Sequence, residues 1–432
     1  MNIISQNYNI IIDNIKFFLG EKVAGRQISK KYFQLKEYYK LEWKYRKVLQ
    51  KKKLISLVNY CYENIPYYKK ILFTKDLINK LNQDISFFKD IPILNKKLIL
   101  ENYDLLISLK KQKKIYYCKT GGSCGEKITV EYNDFAADSS SAVTRYCRNS
   151  IRVPGSDLHF AANFGDKISL KDKLKENFKS YILGRDNVFF SSLNDEDLKK
   201  IVKKIIKKKP ILIHCHPSTM IMILNFCMKK KVNLNFKYFE SSGEQLTYID
   251  RKKIENYFFC KVIQRYGQAE TGIIAYEIFK DEKIYILDNS VYVENYDDEI
   301  ITTGLENLHM PLLRYQTGDL GIIKEDLKGV YFDEIIGRKH EKLTLNNQVF
   351  LTHHIQDIID HRIQNINMFQ IQLRENKKHI LFLNISNNHL KSQIIERVNK
   401  YFLNSFEVQF IEKDKFILKG SRSKFSYIVN NK

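Results

Sequence analysis

Four short segments carry the residue types that could do chemistry, and they follow one another in a fixed order. They are TGGSCGEKI at Thr120–Ile128, YGQAETG at Tyr266–Gly272, YQTGD at Tyr315–Asp319 and IGRKHEKL at Ile336–Leu343. In the first, Gly121, Gly122 and Gly125 let backbone N–H groups approach anionic oxygens. Thr120 and Ser123 add hydroxyl donors, and Lys119 and Lys127 flank the run. The GxxxxGK spacing of a Walker loop is missing, which disfavours a P-loop nucleotide hydrolase and leaves a Gly-rich hairpin turn as the plain structural reading. Glu270 in the second segment follows an apolar run ending at Tyr266-Gly267. Open α/β sheets bind ligands at the carboxyl ends of their strands, so a carboxylate there is placed to hold a Mg²⁺ that bridges phosphates. A glutamate stabilising a helix N-terminus would look the same. Asp319 could accept from two ribose hydroxyls, or simply belong to a turn. Singly each segment is weak; their common order points to an enzyme that uses ATP.

These residues need a scaffold, and the pattern of the chain supplies one. Residues 28–60 read as charged helix, with Tyr32, Leu35, Tyr39, Leu41 and Trp43 near helical spacing. Breaks follow at Pro66–Tyr68 and Ile91-Pro92. From about Ile115, short apolar runs (Leu158–Phe164, Ile211–Cys215, Phe236–Glu240, Lys261–Tyr266) alternate with helical stretches (Asp195–Lys208, Thr219–Lys230, Tyr248–Phe258). That alternation indicates an α/β sheet with βα connections. Lys283–Val293, Glu299–Thr303 and Leu320–Lys324 read as short, mostly antiparallel strands. The last hundred or so residues form a small α+β pattern: helix at Ile355–Ile366, strands at Phe369–Leu373 and Ile380–Ile385, helix at His389–Asn404, then strands at Val408–Phe410 and Phe416–Leu418. With six prolines in all and no Gly/Ser-rich linker, a domain boundary has to be a tight hinge.

Bulk composition permits an enzyme and narrows the alternatives. A chain of 432 residues with 44% hydrophobic and 13% aromatic residues can bury a sizeable core and is not disordered. The formal charge of +23, from 72 basic and 49 acidic residues, comes in short lysine tracts such as Lys51–Lys53, Lys207–Lys209 and Lys229–Lys231. Dispersed tracts of this kind read as solvated surface, the alternatives being attraction of anionic substrates such as nucleotides or loose contact with an anionic membrane. Seven cysteines without CxxC spacing fit reduced thiols better than a disulfide framework or a zinc site. The first 22 residues carry Asp13 and Lys16 and lack a basic start and a small-residue cleavage site, so they read neither as a signal peptide nor as a membrane span.

The set of motifs resembles the adenylate-forming superfamily of acyl-CoA synthetases, nonribosomal-peptide adenylation domains and luciferases. Within it the likeness is to the phenylacetate–CoA ligase branch and its capsule-biosynthesis relatives. It extends over nearly the whole chain through YENIPYY at Tyr62–Tyr68, IPILNK at Ile91–Lys96, Lys209-Pro210 with Pro217-Ser218, Ser242-Gly243-Glu244, and Thr302-Thr303 through Pro311–Tyr315. The resemblance implies an α/β fold: a large N-terminal adenylation domain, residues 1–338, with β-sheets flanked by helices, and a small mobile α+β lid domain, residues 339–432. It also implies roles. Thr120, Gly121, Gly122, Ser123 and Gly125 would hold the ATP triphosphate. Ser242, Gly243, Glu244, Gln264, Tyr266 and Gly267 would line the adenine and the acyl carboxylate, and His216, Ser241, Gly267 and Gln268 would border the substrate pocket. Glu270 would bind Mg²⁺, Asp319 the ribose, and Arg338 the ribose or phosphate. Lys424, in GSRSKF at Gly420–Phe425, would be the catalytic lysine, acting with Glu270 and Arg338.

Departures from the pattern are Cys124 where a threonine is usual, Lys339-His340-Glu341 with one hinge acid instead of two, Asn346-Asn347 in place of a glycine, Ser423 before Lys424, and His216 at a commonly aromatic position. None removes a charged role. The implied activity is ATP-dependent activation of a carboxylic acid as acyl-AMP with release of pyrophosphate, then transfer to CoA or another acceptor such as an amine. An amide ligase acting on an amino sugar or amino acid of a surface polysaccharide, and a non-catalytic nucleotide-binding relative, are the alternatives. The expected cofactors are ATP and Mg²⁺, with CoA as a co-substrate. The expected setting is cytoplasmic, at most peripheral at the inner membrane, with no nucleic-acid partner and no integral membrane segment; homodimerisation is left open.

Overall fold

The structure is a computed structural model that describes residues 15, 17–119, 128–151, 156–162, 180, 185–190, 195–279, 281–338, 342–345, 348–351, 355, 358–375, 377–419 and 424–430. Helices α1 (Ile28–Tyr38) and α2 (Trp43–Asn64) stand where the sequence pattern suggests one continuous helix. The break comes at Glu42, whose backbone is extended. Just beyond it the buried Trp43 donates its indole N–H to Glu325, 2.8 Å away, and so anchors α2 on the sheet. Helices α3 (Lys75–Gln83) and α4 (Lys96–Glu101) are started by side-chain caps, Thr74 accepting from Leu77 N–H and Asn95 from Leu98 N–H.

A hairpin of β1 (Ile115–Lys119) and β2 (Thr129–Asn133) leads into α5 (Asp134–Ile151). Then come β3 (Asp157–Ala162), β4 (Arg185–Phe190), α6 (Asp195–Lys208), β5 (Leu212–Cys215), α7 (Pro217–Lys230), β6 (Tyr238–Ser242), α8 (Tyr248–Phe258) and β7 (Lys261–Gln268). Six more strands follow: β8 (Gly272–Tyr276), β9 (Ile284–Ile286), β10 (Val291–Tyr296), β11 (Glu299–Gly304), β12 (Tyr315–Asp326) and β13 (Gly329–Arg338). Apart from the hairpin these strands form one 11-stranded sheet ordered β10-β11-β12-β13-β9-β8-β7-β6-β5-β3-β4. The run from β4 to β7 is parallel, and from β8 to β13 every pairing is antiparallel.

Sequence periodicity explains the helices that cover the sheet. In α6 the buried Leu198, Ile201, Val202 and Ile205 make one stripe, and the helix starts with three acids and ends with two lysines, as its dipole prefers. Helix α7 begins with Pro217, whose missing N–H costs nothing in the first turn. Helices α6 and α7 pack with Ile213, Phe239 and Val262 in a core on one side of the parallel strands. Helices α1 and α5 cover the other side with Leu35, Ala142, Val143, Cys147, Ile263 and Tyr276. Strand β4 has no counterpart in the sequence reading. Tyr315–Asp319 is corrected from a turn to the start of a 12-residue strand, β12.

The C-terminal part has its own sheets and core. A hairpin, β14 (Lys342–Leu345) with β15 (Gln348–Leu351), precedes β16 (Ile366–Leu373), β17 (His379–Ile385), α9 (Lys391–Tyr401), β18 (Phe406–Phe410), β19 (Leu418–Lys419), β20 (Lys424–Phe425) and β21 (Ile428–Asn430). Four of these strands pair in the order β18-β17-β16-β21 over Ile359, Phe369, Leu381, Ile394 and Val398. The helix expected at Ile355–Ile366 includes a π-helical turn, Ile358–Ile363, and Ile366 already belongs to β16. The strand expected at Phe416–Leu418 shrinks to Leu418–Lys419, after a 3-10 turn at Lys413–Lys415. Among the described residues no helix is long and apolar enough to cross a membrane. The described cysteines, Cys61, Cys118, Cys147, Cys215, Cys227 and Cys260, are free thiols.

Candidate functional site

Strand β7 carries the second motif past the end of the parallel run and turns sharply. A Cβ on Gly267 would sit 2.5 Å from the Gly272 carbonyl oxygen, and Gly272 has φ +78°, so both glycines are needed for the turn Ala269-Glu270-Thr271 to close. The turn leaves Glu270 buried at the carboxyl end of β7, where ligand sites of such sheets lie. Strand β12 lies elsewhere in the sheet, with β13, β9 and β8 between it and β7. Even so, the two motifs touch twice. Tyr315 donates its hydroxyl to Glu270 Oε1 at 2.7 Å, and Tyr266 donates to Asp319 Oδ2 at 2.8 Å. Each motif thus supplies a tyrosine to the other's carboxylate, which the twist of a long sheet makes possible. Gly318, at φ +76°, allows the bend before Asp319, whose N–H donates to Thr317 Oγ1 at 3.0 Å.

The other predicted residues fall around this pair. In the β12–β13 ladder Asp319 stands opposite Arg338, which brings the two proposed ribose residues together at the backbone level; the Arg338 side chain lies outside the described residues. The loop Thr120, Gly121, Gly122, Ser123, Cys124 and Gly125 also lies outside them, but the hairpin that carries it is placed. Tyr132 on β2 donates to the Ala269 carbonyl, which ties the hairpin to the Glu270 turn. Burial, then Cys118 and Glu270 nearby, hold this phenol far above its ordinary value. Gln268 reaches Thr271 and Thr302 hydroxyls, each at 3.3 Å. Ser241 and Gln264 are register partners on β6 and β7. Lys424 begins β20 opposite Lys419; its side chain and the hinge residues Lys339–Glu341 lie outside the described residues.

His216 and Glu244 take structural partners at the start of α7. The His216 ring N–H at Nδ1 donates to the Ser242 carbonyl at 2.7 Å and lies so close to Gly243 (φ +85°) that a Cβ there would be 2.5 Å from Cε1. Glu244 Oε2 accepts from Ser218 N–H at 3.1 Å in the first turn of the helix, while its Oε1 is buried without a partner among the described residues. Two clefts, of about 300 and about 260 Å³, open elsewhere beside Trp43 and Lys31, and no site residue lines them.

Beneath these residues, on the α5 side of the sheet, lies a charged network. Glu240 on β6 is fully buried. It accepts from Arg148 of α5 through the Nε–Nη2 edge of the guanidinium and from Tyr276 at 2.6 Å, with His214 Nδ1 at 2.8 Å and Arg265 Nη1 at 3.8 Å. Arg148 also reaches Asp157 at 3.2 Å and His159 Nε2 at 2.7 Å. Burial opposes the charge on Glu240, but Arg148 and His214 outweigh it and hold the carboxyl well below the usual carboxylate range. Burial keeps His159 and His214 below their ordinary values, so both are neutral near pH 7.

The donor set also allows a judgement on Mg²⁺. Among the described residues no three His, Cys, Asp or Glu side chains converge on one point. A single buried carboxylate, Glu270, fits an ion that takes most of its ligands from phosphates and water. Sequence reading had missed Tyr132, the Tyr315–Glu270 bond and the whole Arg148–Glu240 network. The signal available was one acid and one base, Glu240 and Arg265, late in two runs that read as strands.

No family model matches the chain. It is 23% identical to Protein CapK of Staphylococcus aureus over 436 aligned residues, 96% of each chain. It is 24% identical to the phenylacetate-coenzyme A ligase of Thermus thermophilus over 295 residues, 63% of this chain and 65% of that one. A solved 2-hydroxyisobutyryl-CoA ligase, in the postadenylation state in complex with R3-HIB-AMP, superimposes with a TM-score of 0.67 at 14% identity and covers 88% of this chain and 89% of its own. The chain is therefore a homologue of Protein CapK and of phenylacetate-coenzyme A ligases, built on the fold of the adenylate-forming acyl-CoA ligases.

Proposed function

We propose that the protein activates a carboxylic acid with ATP, releasing pyrophosphate and holding the acyl-AMP for transfer to CoA or another acceptor. The observation that carries this reading is the pair of reciprocal bonds, Tyr266 to Asp319 and Tyr315 to Glu270, which join residues 53 and 45 positions apart and hold the two motifs side by side. Homology to ligases of this reaction class supports it. The acid's carboxylate oxygen attacks the α-phosphorus, and the pyrophosphate oxygen leaves with the bond electrons. Asp319 accepts from ribose hydroxyls, with Tyr266 holding its orientation, and the loop Thr120–Gly125 donates N–H and hydroxyl groups to the phosphates. Glu270, oriented by Tyr315, would hold Mg²⁺, which when bound offsets phosphate charge. Ser242, Gly243 and Gln264 would line the adenine and the acyl carboxylate, and Gln268 would border the substrate pocket. Lys424, carried by the C-terminal unit, supplies a cation that offsets repulsion between carboxylate and α-phosphate in the transition state. The unit then rotates about Lys339–Glu341 for the transfer step.

The decisive experiment is pyrophosphate release across a panel of carboxylic acids, with CoA and amines varied. Release that depends on the acid supports an enzyme, and dependence of product on CoA or on an amine separates the thioester route from an amide route. ATP binding without acid-dependent release would leave a nucleotide-binding protein instead. Lys424→Ala should lower release by about 10²–10³-fold while a supplied acyl adenylate still goes on to product. Equal loss in both steps removes Lys424 from this role.

A further inference from the structure

Adjacent residues of a strand point to opposite faces, and on β7 the two faces have different partners. Tyr266 points to Asp319, whereas Arg265 points to Glu240 and the α5 side. His159, His214 and Glu240 are register partners on β3, β5 and β6 and form one buried polar row across that face. Arg265 pairs with Ser242, one step nearer the carboxyl ends of the strands than Glu240. It therefore stands between the buried row and the site at the strand ends.

Two features set Arg265 apart from an ordinary buried ion pair. Glu240 already has closer partners in Arg148, Tyr276 and His214, so Arg265 at 3.8 Å is its most distant cation. The Arg265 side chain also keeps 23% of its surface exposed, against 9% for Arg148. Charge points the same way. Arg148 already reaches both Glu240 and Asp157, so neither carboxylate relies on Arg265 alone. A guanidinium is built to bind a carboxylate through two parallel hydrogen bonds.

We propose that Arg265 is a specificity-determining residue, and that the acid activated here carries a second anionic group, such as a distal carboxylate, which this guanidinium binds. This rests on the carboxylate-activation reading and names the class of acid it acts on. Held by Arg265 on one face of β7, the distal group leaves the reacting carboxylate free to point to the strand ends, where Glu270 sits.

The test pairs straight-chain monocarboxylic acids with dicarboxylic acids of the same length, in the pyrophosphate-release assay on the full chain. Wild type should favour the dicarboxylic member by roughly tenfold to a hundredfold in kcat/KM, the scale of one charged hydrogen-bonded contact. Arg265→Leu should erase that ratio, and Arg265→Lys should keep part of it. Equal use of both members by wild type, or a fall in both by the same factor in Arg265→Leu, overturns this inference and leaves carboxylate activation standing. Release with no member of the panel overturns both.

Discussion

The two faces of β7 solve different problems with neighbouring residues. On one, the Tyr266 hydroxyl donates to Asp319, with Phe332 edge-on to its ring at 5.3 Å. On the other, Arg265 joins a network whose central carboxylate, Glu240, is fully buried and reached by a helix, α5, far away in sequence. The first face is polar where it must orient a carboxylate and apolar behind it. The second holds several charges below the strand ends, where ion pairs survive only if every partner is in place. Removing the central carboxylate of the second face should therefore unsettle folding, whereas removing a residue of the first should mainly alter chemistry.

The largest effect should come from breaking the network. Glu240→Ala takes from the buried Arg148 its two-bond carboxylate partner, leaving it Asp157 and His159, and should cost about 3 kcal/mol of stability, read by denaturant unfolding. It should also change the acid limb of stability. The Glu240 carboxyl is held below its ordinary 4.5, so its contribution is present above that pH and is lost as pH falls further. The variant should lack that limb. An unchanged unfolding midpoint would mean that the two faces do not differ in this way.

On the nucleotide face Glu270→Gln keeps the shape and removes the charge. Acid-dependent pyrophosphate release should fall by about 10²-fold, with a higher requirement for Mg²⁺ and little change in stability. Wild-type turnover would remove Glu270 from the metal role. The smallest effect should be that of Tyr266→Phe, which deletes the bond to Asp319 without touching the ring packing. Apparent KM for ATP should rise about tenfold, near the lower end for a hydrogen bond to a charged group, with stability nearly unchanged. If Tyr266→Phe unfolds the protein as readily as Glu240→Ala, the contrast between the faces fails.

Much of this was legible from residue order alone. The alternation of apolar runs and amphipathic helices from Asp195 to Tyr266 identified the parallel half of the sheet, with α6 and α8 at the expected boundaries. Local patterns suffice there because helix stripes and buried strands repeat over a few residues. Glu270 and Asp319 were legible as a pair by motif order, and the structure brings their segments together. Tyr315–Asp319 was misread as a turn because a Thr-Gly-Asp run has turn chemistry; pairing with β11 and β13 overrode it.

What the sequence by itself determined is the class of fold and the chemical inventory: glycines where the backbone must turn tightly, carboxylates after strand ends, and no long apolar helix among the described residues. Tertiary structure alone decided which tyrosine serves which carboxylate, and that Arg148 and Glu240, 92 positions apart, share one buried network with Arg265. The physical reason is range. Periodicity and turn preference act over a few residues, whereas partners on different strands are chosen by how the sheet twists and which faces its helices cover.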